Sequence, residues 1–398
     1  MIGKIVLIIS AVYNPEPIVS SKISADLYNA LKNELYNIRL LHPKPTRPLG
    51  FNFDMNFKPN KDEVILNSYT CPKSSLVGRL KESFSFGKEC AKYIREHQEE
   101  IACIYANTWP LGSQFLIVKA AKKYGIPVTM HVQDVYPESL TNKLPAFVGS
   151  VFKTLLVPMD KFILQHSDNV IAISDKMKSY LVKTREIAPE KVSVVINWQD
   201  ETDFLEYQKS AIPGEHDKFT FMYMGNIGPV AGVDLLIDAF NQIDTPNCRL
   251  VIAGSGSMKS SLQEKAKGNF NIEFWDVPNG KVPEIQSKAD VMLLPIKKGA
   301  ASSSIPSKLP AYMFSAKPII GAMDADSDTA NAIGEANCGV IVVPEDKVAL
   351  AEAMKEMVTK EKKYLYEIGQ RGQQYALQHF SKSSNLKNLK QVVCGMIK

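Results

Sequence analysis

The sequence predicts an α/β protein built from two doubly wound domains, each a parallel sheet with helices on both faces. Three observations predict it. Apolar runs of about six residues recur along the chain without polar alternation, the pattern of strands buried on both faces. Segments with a helical apolar period lie between them, as the crossovers joining parallel strands require. One polar interval, DETDFLEYQKSAIPGEHDK from Asp200 to Lys218, halts the alternation before it resumes, which divides the chain into two such domains.

In chain order, KIVLIIS, IRLLHP, IACIYAN, PVTMHVQ, NVIAIS and VSVVIN read as strands of the first domain, with SADLYNALKNEL, SQFLIVKAAKKYG and DKMKSYLVKTR as helices between them. The opening run is far short of the roughly 20 apolar residues of a membrane span and ends in Pro-rich sequence without a cleavage site, so it reads as a buried first strand. In the second domain FTFMYMG, CRLVIAG, IEFWDV, DVMLLPI, KPIIGA and CGVIVVP read as strands, and DLLIDAFNQI, MKSSLQEKAK and VPEIQSKA as helices. After Pro344 the sequence reads as helical to its end. The segment PAFVGSVFKTLLVPMDKFIL, residues 145–164, is apolar with Lys153 and Lys161 along it. It reads as a core helix or as a peripheral membrane contact, with Pro158 expected to break it.

At 398 residues the chain exceeds one ordinary core, and two domains are the economical reading. Its 45% hydrophobic and 22% charged residues are those of a globular protein, expected in the cytoplasm or peripherally at the inner face of the membrane. The net charge of +5 suits anionic ligands or anionic lipid. No Arg-rich helix or Lys-rich tract appears, so nucleic acid is not an expected partner. Six cysteines lie scattered with no CxxC pair, which points to reduced, buried thiols in place of zinc ligands or a disulfide framework.

Ligands of doubly wound domains are expected at the carboxyl ends of the strands. In the first domain those ends carry Asn14-Pro15-Glu16, His131 to Asp134 and Asn197-Trp198. His131 can donate to a phosphate or sugar hydroxyl near neutral pH, or serve as a structural histidine. Asp134 can bind or polarise a hydroxyl, or start a helix before Pro137. In the second domain Gly225, Asn226 and Gly228 form a strand-to-helix turn through which backbone can approach a diphosphate, or a plain tight turn. Gly254-Ser255-Gly256 is similar but lacks the remainder of a dinucleotide fingerprint. The stretch SSSIPSKLPAYMF, Ser302 to Phe314, sets serines and Lys308 ahead of a helix. That is a phosphate-binding arrangement, or Ser307 acting as an ordinary helix cap. Asp324 and Asp326 have the spacing of a hard-metal pair, but paired loop aspartates are commonly turn formers, and no metal is expected here.

In order along the second domain, MGNIGPVAGVDLLIDAF, RLVIAGSG, VPEIQSKADVMLLPI, PSKLPAYMFSAKPIIGA and GEANCGVIVVP resemble the donor-binding domain of the family 4 glycosyltransferases, which have the GT-B fold. Bacterial enzymes that build surface polysaccharide or amino-sugar oligosaccharides are the most similar in kind. IPVTMHVQDVYPESL, VIAISDKMKSYL and VSVVINWQD resemble the family's first domain. The resemblance implies two Rossmann-like domains facing across a cleft: an acceptor domain over residues 1–205 and a donor domain over 206–380. A last helix, about 381–398, would return to the first domain. It implies a retaining transfer from a nucleotide-diphosphate sugar, most simply a UDP-sugar, to a glycan or lipid-linked acceptor. It implies no metal and no other cofactor, because protein groups neutralise the leaving diphosphate.

Residue by residue, the resemblance implies His131, Asp134 and Lys308 at the reaction centre. Around the donor it implies Gly225, Asn226, Gly228, Gly254, Ser303, Ser304, Pro306, Ser307 and Lys308, with Asp276, Val277 and Pro278 at the base and Glu335 at the ribose. Glu16, Asp134 and Tyr136 fall on the acceptor side. The chain also departs from the family. Two glutamates that the family carries with seven residues between them fall on Ser303 and Ala311, and the family's Arg and Lys after the first donor-domain strand are missing, with Pro229 and Ala231 nearby. Lys308 is then the main fixed cation, and a non-catalytic partner subunit or a sugar-nucleotide epimerase of the same fold stays open.

Overall fold

The computed structural model describes residues 4–16, 18–46, 59–71, 75–107, 110–141, 145–210, 218–229, 231–244, 247–299 and 305–397. Its contacts divide the chain into two compact units, Met1–Asn197 with Asn385–Lys398, and Trp198–Ser384.

The first unit holds a seven-stranded sheet of β1 (Ile5–Ser10), β2 (Ile38–Pro43), β3 (Glu63–Leu66), β4 (Ile101–Asn107), β5 (Val128–Val132), β6 (Asn169–Ala172) and β7 (Val192–Val194). The strand order is β3-β2-β1-β4-β5-β6-β7, parallel throughout. Every residue of β1 and of β5 is buried, which is why these stretches read as unbroken apolar runs. One face of the sheet packs Leu7, Ile104, Val128 and Met130 against Phe86, Ile117, Val118 and Ile163 of three helices, Leu76–Glu96, Leu111–Tyr124 and Ala146–His166. Each such side chain contributes on the order of 1.5–3 kcal/mol by burial.

The end of the chain completes this unit. Thr129 Oγ1 lies 3.3 Å from Met396 Sδ, Asn385 Oδ1 accepts from the Ile196 N–H at 3.2 Å, and Lys390 pairs with Glu34. Two elements are absent from the sequence reading: the edge strand β3 and the helix Leu76–Glu96. A third point is a correction, because Pro158 does not break the helix Ala146–His166 but lies inside it. Proline removes one N–H and one ladder bond, and packing of Leu156 just before it and of Met159, Phe162, Ile163 and Leu164 after it on the core holds the helix through it.

The second unit holds a six-stranded parallel sheet of β8 (Phe219–Met224), β9 (Cys248–Ala253), β10 (Ile272–Trp275), β11 (Val291–Pro295), β12 (Ile319–Ala322) and β13 (Gly339–Val342), in the order β10-β9-β8-β11-β12-β13. Phe221, Tyr223, Ile252, Leu293, Met354 and Ile368 belong to its core. The interval read as a polar linker contains the helix Thr202–Ser210, whose Phe204 is buried against Phe314 and whose Gln208 donates to Phe314 O at 2.9 Å. That packing ties the helix to the second unit, so the division falls after Asn197 and not at 205/206.

In both sheets the strand order reverses once, between β1 and β4 and between β8 and β11, and the carboxyl ends at such a reversal form the ligand crevice of doubly wound folds. The six cysteines form no disulfide and five of them are buried, and burial pushes the Cys103 and Cys338 thiols up to about 12. Among the described residues no helix is long and apolar enough to cross a membrane.

Candidate functional site

In the second unit two glycine turns interlock at the carboxyl ends of β8 and β9. The Gly225 N–H donates to Ala253 O, the Ile227 N–H to Ser255 O and the Met258 N–H to Ile227 O, at 3.0, 2.8 and 3.0 Å. The Tyr223 hydroxyl donates to Asn226 O at 2.7 Å. A Cβ on Gly254 would stand 2.2 Å from Gly225 O, and one on Gly256 2.3 Å from Ile227 O. Only glycine permits backbone to lie on backbone here, and the φ of +131° at Gly254 disfavours any other residue as well.

Lys308 crosses this turn. A Cβ on Gly225 would meet Lys308 Cε at 2.3 Å, so the glycine gives the lysine its path. The ammonium lies 5.4 Å from the centre of the Tyr223 ring. Burial pushes the lysine below its ordinary pKa, and no carboxylate of the described residues forms an ion pair with it. A half-buried cation without a counter-ion is costly to hold, and an anionic ligand would offset that cost. The helix Lys308–Phe314 is held in place by Tyr312, whose hydroxyl accepts from the Met224 N–H and donates to Met224 O, both at 2.9 Å. Ser307 occupies the N-cap position without a side-chain cap bond, and Pro306 precedes it half-buried. Ser303 and Ser304 lie outside the described residues.

At the end of β10, exposed Asp276 pairs with Lys259 at 2.7 Å, which holds its carboxyl below the usual range. The same ammonium donates to Gly254 O at 3.1 Å. Lys259, which sequence reasoning missed, thereby ties the loop of Asp276, Val277 and Pro278 to the glycine turns. A groove of about 550 Å³ at the end of β11 is lined by Gly232, Asp234, Pro295, Lys297, Asp346 and Lys347 among others. Glu335 does not join this edge. It ends the helix Asp328–Glu335, which runs back from the carboxyl end of β12 toward the start of β13, and its carboxylate accepts from the Tyr375 hydroxyl at 2.8 Å. Asp324 Oδ2 accepts from the Gly299 N–H at 2.7 Å, and among the described residues no three His, Cys, Asp or Glu side chains stand grouped for a metal.

In the first unit His131 does not face solvent, contrary to what its place near a strand end suggested. It is wholly buried, and burial pushes its pKa down to about 3, so it is a neutral imidazole. Asn197 Nδ2 donates to Gln133 Oε1 at 2.9 Å, Gln133 Nε2 approaches His131 Nε2 at 3.1 Å, and His131 Nδ1 lies 2.7 Å from the Tyr105 hydroxyl. The fixed Gln133 amide donates to Nε2, which leaves the ring proton on Nδ1 for Tyr105. Gln133 is half-buried, and it is the group at the tip of β5 that this chain of bonds orients.

Glu16 is likewise buried, its oxygens accepting from the Thr46 N–H at 2.8 Å and the Tyr13 N–H at 3.1 Å. It fastens its own loop. Asp134 is exposed. Tyr136 packs on the core, and its carbonyl accepts from Arg185 at 2.8 Å. Buried Arg185 also pairs with Glu138 at 2.6 Å and Asp160 at 2.5 Å. Despite Arg185, burial pushes the Asp160 carboxyl up to about 6. These bonds fix the loop that carries Asp134.

A family model for glycosyltransferase family 4 matches residues 23–202, and one for glycosyl transferases group 1 matches residues 218–360. The chain belongs to glycosyltransferase family 4. This family 4 glycosyltransferase is 25% identical to the Pseudomonas aeruginosa glycosyltransferase WbjE over 248 residues, 58% of the chain and 60% of WbjE's length. It is 22% identical over 328 residues to WcaI of Escherichia coli, named for glycosyl transfer in colanic acid biosynthesis, covering 76% of the chain and 79% of WcaI. The solved structure of HepE from Anabaena in complex with UDP superposes with a TM-score of 0.64 at 14% identity, over 98% of this chain and 100% of that one. A second HepE structure holds UDP-glucose and superposes with a TM-score of 0.62. The likeness is one of fold, the two-domain GT-B architecture. Within it Ala311, one of the two positions where the resemblance implies a glutamate, is buried in the helix Lys308–Phe314.

Proposed function

We propose that the protein transfers a sugar from a UDP-sugar to a glycan or lipid-linked acceptor in surface polysaccharide assembly, with retention of configuration and without a metal ion. The observation that carries this reading is Lys308, half-buried, without an ion-pair partner among the described residues, and laid across Gly225 at the strand-order reversal of the second sheet. UDP and UDP-glucose in HepE support the choice of donor, and WcaI's role in colanic acid biosynthesis supports the choice of pathway class.

In this reading the glycine turns let backbone lie close to the diphosphate, Lys308 neutralises it, and the loop fastened by Lys259 lies beside the base. The bond from the anomeric carbon to the diphosphate oxygen breaks, and the acceptor hydroxyl attacks from the side of the leaving group. Its proton passes to the departing oxygen while the ammonium stabilises the growing charge. Asp134, Tyr136 and the Gln133 amide serve the acceptor. The test is incubation with a panel of UDP-sugars and candidate oligosaccharide acceptors, with chelator present, following UDP release and the anomeric configuration of the product by NMR. Acceptor-dependent release with retention supports the reading. Conversion of the donor without acceptor would identify an epimerase, and an inverted product or loss of turnover with chelator would contradict retention or metal independence.

A further inference from the structure

The first unit carries an apolar surface that its core does not explain. Along the helix Ala146–His166 the second half, Met159, Phe162, Ile163 and Leu164, packs on the sheet. The first half does not. Phe147 is 81% exposed, Leu155 68% and Val151 46%, and their spacing of four residues sets them on one stripe. A second stripe lies on the helix Leu76–Glu96, where Val77 is 77% exposed and Leu80 and Phe84 lie one and two turns further on, also exposed. The two helices flank the helix Leu111–Tyr124 on the same face of the sheet. Each follows a strand of the parallel sheet, so both stripes begin at the carboxyl edge, where Asp134 and Tyr136 stand.

Within the stripes the exposed charges are basic, and the exposed carboxylates nearby are Glu96, at the far end of its helix, and Asp134 on the neighbouring loop. Arg79, Lys81 and Lys88 are exposed, whereas Glu82 and Glu89 are half-buried, Glu82 accepting from the Cys71 N–H at 3.2 Å. On the other helix Lys153 is exposed, its ammonium 3.7 Å from the inward Glu138, and the single carboxylate, Asp160, is buried with Arg185. Apolar side chains flanked by cations, with the carboxylates drawn inward, complement an anionic lipid surface.

We propose that this edge of the first unit docks peripherally on an anionic membrane, with Phe147, Val151, Leu155 and Val77 entering the headgroup boundary and Lys and Arg side chains meeting lipid phosphates. The loop of Asp134 would then lie beside the bilayer. This inference stands apart from the transferase reading, since it requires neither nucleotide nor acceptor.

The experiment is co-sedimentation of the full chain with vesicles of phosphatidylcholine alone and of phosphatidylcholine mixed with phosphatidylglycerol, at low and high salt. The wild type and a Phe147→Ser, Leu155→Ser double variant are compared, with light scattering of both in the absence of lipid. These side chains are exposed, so an unchanged melting temperature is expected. Binding to the anionic vesicles, weakened by salt and about tenfold or more by the double substitution, is the expected result. No binding to anionic vesicles, or binding undiminished in the variant, overturns the proposal. A wild-type dimer that the double variant converts to monomer also overturns it, by assigning the face to a second copy of the chain.

Discussion

Replacing Lys308 by methionine separates function from stability. The ammonium is half-buried, pushed below its ordinary value of 10.5 by desolvation, and it lies 5.4 Å from the centre of the Tyr223 ring. Losing a cation–π contact costs about 0.5–2 kcal/mol, and relief of the desolvated charge offsets it, so the melting temperature should stay close to that of the wild type. Turnover should not. Removing one preorganised group from a developing oxyanion costs about 2.7–4 kcal/mol, or roughly a hundred- to a thousandfold in kcat.

The pH dependence carries the same signature. Because the folded-state value is depressed, the unfolded chain binds the proton more tightly, and wild-type stability rises with pH between that depressed value and 10.5. Lys308→Met should abolish this rise, and should also abolish the loss of nucleotide affinity expected as the ammonium deprotonates. The assays are UDP release under saturating substrates and thermal unfolding across pH. Near-normal turnover in Lys308→Met would refute the assignment of the lysine to the leaving group.

Other outcomes follow from neighbouring geometry. His131 is held at about 3, so wild-type stability should fall as pH drops from the unfolded value near 6.5 toward 3, by about 1.4 kcal/mol per unit, because the unfolded chain binds a proton that the folded chain refuses. His131→Phe should flatten that slope in urea titrations at several pH values, and an unchanged slope would count against burial as its cause. Gly254→Ala forces a Cβ to within 2.2 Å of Gly225 O at a φ of +131°; strain of about 1–3 kcal/mol should appear as a lower melting temperature with weaker nucleotide binding, and neither change would mean that the two turns are not interlocked. Arg185→Met strands the buried carboxylates of Glu138 and Asp160 and should destabilise the protein by about 3–5 kcal/mol, measured by denaturant unfolding, whereas a loss below 1 kcal/mol would class the triad with surface pairs.

The two parallel sheets were legible because their central strands are buried on both faces and carry almost no polar residue. β3 was not, because it is a four-residue edge strand that begins with a glutamate. Positions in the candidate site were legible where they depend on the local chain. Gly225 and Gly254 follow the ends of β8 and β9 and Lys308 opens the helix after β11, and their juxtaposition follows from the order of those strands. Roles that depend on direction or on distant partners were not legible. Glu335 ends the helix Asp328–Glu335, which runs away from the carboxyl edge, a direction that periodicity cannot reveal. Lys259 looks like any surface lysine until Asp276, 17 residues on, meets it. His131 in β5 and Gln133 just past its end are two residues apart, and only the positions of Tyr105 and Asn197 decide that the first is sealed in and the second held at the tip.

The central claim is that the glycine turns and Lys308 receive a nucleoside diphosphate. Titration calorimetry of the full chain with UDP, GDP, dTDP, ADP and CMP, each in the presence of chelator and then of Mg²⁺, tests it most directly. Selective binding of UDP, equal in the two conditions and strongly weakened in Lys308→Met, is the expected result. Absence of binding by every nucleotide, or binding of UDP that Lys308→Met leaves unchanged, would contradict it.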